Sequence, residues 1–402
     1  MSEVRSEFYE YNPTEYDESK LELLSSVFSQ VESLDENQII SNIYGLPIDD
    51  AQKQALVKSV QGDRSEVDKI IRSNQDFKIW MVNVPPELNS NQKYAWMYGI
   101  SDNVGEAIRR DAEKLHYTIF DNPILTPPPG FTLEATPPIV WINPIESSNM
   151  PRPKDDEGMD EFYIFQIPKS SQETEIDDFH QELVLNGEVI DRNARAGLNR
   201  FKALFDIDNE VLSELENNIE YYSRLHLEGH NQGHFVGPWP LDQVKKDHPV
   251  YDFIEELRAC LCAVEMLRSI GDKSEATEAL AVQLLTSRLL VHGLSAYNQE
   301  EKTRTRQEVR EIVVPTILFE HLLKDSAITI NDSKMQLNTK AMVSSMHNLL
   351  KEIHDVERIA YVNSDSSLLH EFTVNKLKES FPDGNYSENM NMVLKKANSV
   401  SA

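Results

Sequence analysis

VLSELENNIEYYSRLHLEGHNQGH, residues 211–234, and YDFIEELRACLCAVEMLRSI, residues 251–270, are the two stretches on which the reading of this chain turns. In the first, apolar residues return at steps of three and four, at Leu212, Leu215, Ile219 and Tyr222, and the stripe runs on into His226 and His230. Residues so spaced lie within about 40–60° of one another around an α-helix, so this face enters a core and carries both imidazoles with it. In the second stretch Phe253, Ile254, Leu257, Leu261, Val264 and Leu267 share one side of a helix. Ala259 and Cys262 follow Glu255 at helical spacing, and Cys260 and Ala263 follow Glu256, so both carboxylates head small apolar faces.

Working outward, helical periods dominate the chain after about Glu175, with candidate helices at residues 192–204, 209–230, 251–270, 274–297, 304–323 and 340–359. Before that the signal is mixed. Helical patterns from Leu21 to about Ser73 give way to short β-branched and aromatic runs at Phe77–Val84, Tyr117–Leu125, Ile139–Ile142 and Phe162–Ile167, bounded by Pro85, Pro86, Pro123, Pro127 and Pro168, with a helix around Asn103–Lys114. The expected architecture is an α-dominated α+β protein: a helical, bundle-like C-terminal half and a smaller mixed α/β N-terminal part. The expected divisions are a flexible acidic arm at 1–20, the mixed region at 21–155, and the helical domain at 156–402, with the charged, proline-bearing Pro151–Asp160 as boundary.

Two imidazoles in register on a helix reach one ion, and a carboxylate from a later helix completes the set that zinc accepts while leaving a position for water. The expected ligands are His226 and His230 with either Glu255 or Glu256 as the third. A buried carboxylate pair also calls for a cation or hydrogen bonds to compensate it, and Arg258, three residues after Glu255, accounts for one of the two. Gly229 and Gly233, with Pro238 and Pro240 beyond, predict that the segment loosens into a loop and frees His234 to be a ligand, a partner of the ligands or a substrate contact. His292 and Tyr297, at the end of a very apolar helix, are further candidates, while His180, Glu182, His321 and His354 read as structural. A mixed nitrogen and carboxylate site also suits iron or manganese, so a lyase or oxygenase of small-molecule metabolism stands beside a hydrolase.

Gly229-His230 followed by Gly233, and then Glu255-Glu256-Leu257-Arg258-Ala259, resembles the dipeptidyl peptidase III family of zinc peptidases, whose paired motifs read H-E-L-L-G-H-G-x-G and E-E-C-R-A-E. The resemblance covers about 35 residues. It implies that His230 and Glu256 are the second histidine and the glutamate ligand, with Glu255 and Arg258 beside the site, and that His226 is the first histidine if the family's extra residue is absent. It implies a peptidase-like hydrolase acting on a peptide or small molecule. Two positions depart from the pattern: Leu227 stands where the family keeps its general base, and Cys260 replaces the final glutamate. Glu255 and Glu228 are therefore the candidate proton carriers. The competing reading is a non-catalytic protein in which these residues hold a structural metal or form a buried polar network.

Composition bounds the remainder. The chain has 402 residues, 40% of them hydrophobic, enough for a substantial core, and a net charge of −28 that disfavours nucleic acid and anionic membranes as partners. Its two cysteines, Cys260 and Cys262, lie about 200° apart on one helix and make no disulfide framework. Met1-Ser2-Glu3-Val4-Arg5 lacks the start of a signal peptide, and no run approaches eighteen unbroken apolar residues, so a cytoplasmic location is the expectation. P-loop and dinucleotide fingerprints are absent from the sequence. Nothing in it specifies an oligomeric state.

Overall fold

The computed structural model describes residues 18–62, 77–83, 93–116, 122, 124–125, 139–148, 162–168, 179–234, 250–269, 274–298, 306–331, 334–382 and 386–400. The chain forms two compact units, one of residues 1–107 and 137–189 and the other of 108–136 and 190–402. Helix dominates, with small mixed sheets, as the α-dominated α+β reading requires. The acidic arm and the Pro151–Asp160 connector fall almost entirely outside the described residues.

In the first unit three short helices, α1 (Glu18–Phe28), α2 (Glu36–Gly45) and α3 (Asp50–Val60), pack beside a sheet. Their starts are written in the sequence. Asp35 accepts from the Gln38 amide at 2.9 Å while Gln38 returns the contact to the Asp35 amide, a capping box, and Asp49 accepts from the Gln52 amide at 2.7 Å. The sheet holds β1 (Phe77–Asn83), β2 (Tyr94–Ser101), β3 (Ile139–Ser148), β4 (Phe162–Pro168) and β5 (Phe179–Asn186) in the order β1-β2-β3-β5-β4. Only the β3–β5 pair is parallel. Phe28 of α1 meets Trp96 and Tyr98 of β2 with ring centroids 5.3 and 5.2 Å apart, which ties the helices to the sheet. A helix, α4 (Asn103–His116), follows β2.

The second unit is the helical half. It comprises α5 (Gly187–Leu204), α6 (Asn209–Asn217), α7 (Ile219–Gly233), α8 (Asp252–Arg268), α9 (Ser274–Tyr297), α10 (Arg306–Lys324), α11 (Thr339–Asn363), α12 (Ser367–Ser380) and α13 (Glu388–Ser399). A small sheet joins β6 (Phe205–Asp206), β7 (Ile328–Ile330) and β8 (Met335–Leu337) in the order β6-β8-β7. From Ile254 to Leu267 every residue of α8 is buried. A helix buried all round lies at the centre of its bundle, so its charged residues Glu255, Glu256, Arg258 and Glu265 must find partners inside. Helix α9 is long and apolar enough to cross a membrane by length and composition, and 83% of its apolar window is buried in the fold, as for a core helix. Its turns from Ser287 to Gly293 widen into a π-helix beside Pro315 of α10, which lies 3.2 Å from where a Gly293 side chain would begin.

Three sequence expectations change here. Residues 209–230 are two helices, because Asn218 leaves the helical region (φ −133°, ψ 27°) and its side-chain amide donates to the Glu214 carbonyl at 3.0 Å, capping α6 as α7 begins. Extended structure persists past Glu175: β5 runs to Asn186, paired with both β3 and β4. And Gly229 and Gly233 do not loosen the histidine segment. Helix α7 continues through both, and they instead let α8 approach. A Cβ on Gly229 would lie 2.6 Å from the Ala263 Cβ, and one on Gly233 would lie 2.5 Å from the Ala259 carbonyl oxygen. Glycine and alanine face each other because nothing larger fits between these two helix backbones.

Gly233→Ala should therefore destabilise the protein by about 2 kcal/mol or more, by overpacking against backbone. Gly45→Ala, at an exposed helix end with nothing within 4 Å, should be neutral or up to about 1 kcal/mol stabilising. Urea unfolding of both variants checks this, and equal effects would remove the close-approach account.

Candidate metal centre

Because α7 stays helical, His226, His230 and His234 line one face over two turns. The close approach enforced by Gly229 and Gly233 brings that face onto the start of α8. His230 Nε2 lies 3.2 Å from Glu256 Oε1 and 3.2 Å from His234 Nε2, and His234 Nε2 lies 3.8 Å from Glu256 Oε2. The His230 and His234 rings meet edge to face with centroids 4.5 Å apart, whereas the His226 ring is 6.2 Å from that of His230. On the far side of His234, Nδ1 stands 2.8 Å from Glu255 Oε1, and His230 Nδ1 stands 3.7 Å from Cys260 Sγ.

Both glutamates are held by arginines. Glu256, its side chain 4% exposed, faces Arg288 Nη2 at 2.9 Å and Arg310 Nη1 at 3.4 Å. Burial by itself would raise its pKa, but Arg310, His230 and Arg288 outweigh that and hold the carboxyl well below the usual carboxylate range. Glu255 behaves alike: burial pushes it up, and His234 and Arg258 bring it below its ordinary value. Arg258 donates to the Gly233 carbonyl at 2.7 Å and to Glu255 at 3.0 Å, and its Nε lies 2.9 Å from Glu357. Its Nε pairs with Glu357 by charge rather than through an aligned hydrogen bond. Glu357 also accepts from the Tyr251 hydroxyl and neighbours His354 at 3.5 Å.

Desolvation keeps two of the imidazoles neutral, lowering His226 well below its ordinary value and bringing His230 down to about 4. His234 donates Nδ1–H to Glu255, a group that only accepts, and His230 Nε2 accepts from Arg288 at 3.0 Å. The two Nε2 atoms stand 3.2 Å apart, with the Glu256 carboxylate alongside. Four tetrahedral ligands at zinc distances stand about 3.3 Å apart, and the 3.2 Å separations of His230 Nε2 from His234 Nε2 and from Glu256 Oε1 are of that size, while His234 Nε2 lies 3.8 Å from the other carboxylate oxygen, Oε2. Among the described residues two sets of three donors, His230-Glu256-Cys260 and His234-Glu255-Glu256, cluster closely enough to share one ion. The residues fit. Glu255 behind His234 supplies the carboxylate that typically orients a metal-bound histidine through its other nitrogen. Cys260 is also near, but burial raises its thiol to about 12 and it faces the opposite nitrogen of His230.

The structure thus gathers His230, His234, Glu255, Glu256 and Arg258. His226 stands beside the cluster, its Nε2 buried with no hydrogen-bond partner among the described residues. Glu228 is buried on α7 about 200° around the axis from His230. Glu255, the candidate base, is 1% exposed and engaged by both His234 and Arg258. His292 shares the π-helical turns with Arg288, and Tyr297 packs on Tyr386 at 5.9 Å. Side chains of His180 and Glu182 lie outside the described residues. Sequence reasoning missed Arg288, Arg310, Glu311 and Glu357. One signal was legible: Arg288 interrupts the most apolar run of the chain, and an arginine there requires an anionic partner. Which partner depends on helix packing alone.

No family profile matches the chain, and no curated protein sequence matches it. Among solved structures it resembles DPP III from Caldithrix abyssi, with a TM-score of 0.59 at 13% identity over 90% of this chain and 67% of that one. It also resembles dipeptidyl-peptidase III from a Corallococcus species, strain EGB, with a TM-score of 0.51 at 13% identity over 91% of this chain and 70% of that one. The chain therefore shares the fold of these two structures over nine-tenths of its length.

The neutral histidines make stability pH-dependent. Burial lowers His230 to about 4 and His354 to about 3, while in the unfolded chain both protonate near about 6.5. Their folded values are depressed, so stability is full above about pH 6.5 and is lost as pH falls toward 4 and then 3. The melting temperature of metal-free protein should fall through that window, and less steeply in His354→Gln; an unchanged slope in the variant would exclude His354 as a source.

Proposed function

We propose that this chain is a peptidase-related protein that holds one divalent metal ion, zinc by donor chemistry, at His230 Nε2, His234 Nε2 and the Glu256 carboxylate. A peptide or small molecule bearing a carbonyl is the ligand that such a centre suits. One observation carries the reading: His230 Nε2 and His234 Nε2 stand 3.2 Å apart beside the buried Glu256 carboxylate, a spacing that suits donors to one ion. An ion bound there supplies Lewis-acid polarisation of water or of a substrate carbonyl, and iron or manganese would suit the same donors. The protein's part is positional. Glu255 fixes the His234 tautomer, Arg258 fixes Glu255, and the glycine-spaced approach of α7 to α8 keeps the donors within one ion's reach.

Hydrolysis additionally needs a base. Counting from His230 and His234, the segment reads His230-Asn231-Gln232-Gly233-His234, an H-x-x-x-H spacing with Asn231 where an H-E-x-x-H helix places its glutamate. An amide takes up no proton at neutral pH, and Leu227, after His226, takes up none at all. That observation favours a second reading, in which the centre binds metal and ligand without turning peptides over.

Elemental analysis of untagged protein should find about one equivalent of a transition metal after zinc addition and dialysis, lost in His230→Ala. Less than about a tenth of an equivalent in the wild type would overturn the metal reading. Asn231→Glu then separates the two functional readings: restoring a base should raise zinc-dependent peptide hydrolysis by about a hundredfold if the site is a hydrolase in architecture. A zinc-loaded Asn231→Glu protein with unchanged activity supports binding without catalysis.

A further inference from the structure

Arg288 lies on the buried helix α9, its side chain 6% exposed, so protein groups must offset its charge. Its guanidinium bridges three helices. Nη1 meets Glu311 Oε2 of α10 at 3.1 Å, while Nη2 meets Glu256 Oε1 of α8 at 2.9 Å and His230 Nε2 of α7 at 3.0 Å. The last two atoms are 3.2 Å apart and are two of the donors that a metal would use. We propose that Arg288 is an exchangeable resident cation of this centre: in metal-free protein it stands between His230 and Glu256, and a metal ion enters by displacing it onto Glu311.

The exclusivity follows from the chemistry of imidazole. A neutral ring nitrogen has one lone pair in the ring plane, so His230 Nε2 serves either the Arg288 N–H or an ion, not both. Displacement is feasible because Arg288 keeps an anchor. Its Nη1 already rests on Glu311, its Nε has no hydrogen-bond partner among the described residues, and a small rotation frees Nη2 without leaving the charge unpaired. Arg310 stays at Glu256 Oε2. The π-helical turns from Ser287 to Gly293 place Arg288 at this point, and such widened turns recur at functional sites. The consequence is a metal centre whose affinity is set by competition with a side chain of its own protein.

The inference rests on the metal reading above, and zinc titration against a chromophoric chelator tests the two separately, using the untagged full chain and its variants. Arg288→Gln removes the competitor and should bind zinc at least about tenfold tighter than wild type; its metal-free form should melt lower, with a larger rise on zinc addition. Glu311→Gln removes the place to which Arg288 retreats and should bind zinc at least about fivefold more weakly. Opposite shifts in the two variants support the exchange, and the Glu311→Gln result stands by itself if Arg288→Gln fails to fold. Zinc binding by wild type with Arg288→Gln no tighter, or with Glu311→Gln no weaker, overturns the exchange and leaves the metal site standing. Absence of zinc binding in wild type and both variants overturns both.

Discussion

A carboxylate in the centre of a helical bundle is costly unless positive charge meets it, and much of the second unit's polar interior is arranged around that constraint at Glu256. The demand draws in Arg288 from α9 and Arg310 from α10 and turns two imidazoles of α7 toward the same point. Its neighbour Glu255 sets a parallel demand that Arg258, His234 and, one step further, Glu357 and Tyr251 satisfy. Two adjacent residues on one helix thus organise four other helices. The network lies where the glycines of α7 let α8 approach closely.

That packing is the mechanical counterpart of the electrostatics. Gly229 and Gly233 on α7 face Ala263 and Ala259 on α8, and the missing side chains let the helices approach until His230 and His234 reach Glu256 and Glu255 directly. A site built on two helices in backbone contact has its ligand spacing set by rigid elements rather than by loops. Arg288 occupies the remaining side, delivered by a π-helical turn, so the centre is bounded by three helices and closed by a cation already in place.

The helical half, the mixed α/β part and most element positions were legible in the sequence, because hydrophobic period is a local property: the Leu212-to-His230 stripe announces a buried face. Glycine was misread for an equally local reason. In isolation Gly229 and Gly233 weaken a helix, and only a neighbouring backbone reveals that their absent side chains are the point. The break at Asn218 was likewise hidden under an apolar stripe that continues through it.

Period and residue type alone name the groups with chemistry to offer, three histidines at helical spacing and two glutamates on a buried helix. How they pair is a property of the packed helices. His230 and His234, rather than His226 and His230, close on the carboxylates, Glu255 becomes the support of His234 rather than a free base, and an arginine 58 residues from His230 takes the central charge. The physical reason is range. Periodicity fixes which face a side chain occupies, but distances of 3 Å between different helices depend on how closely backbones pack and where a distant helix widens, and neither is written in any one segment.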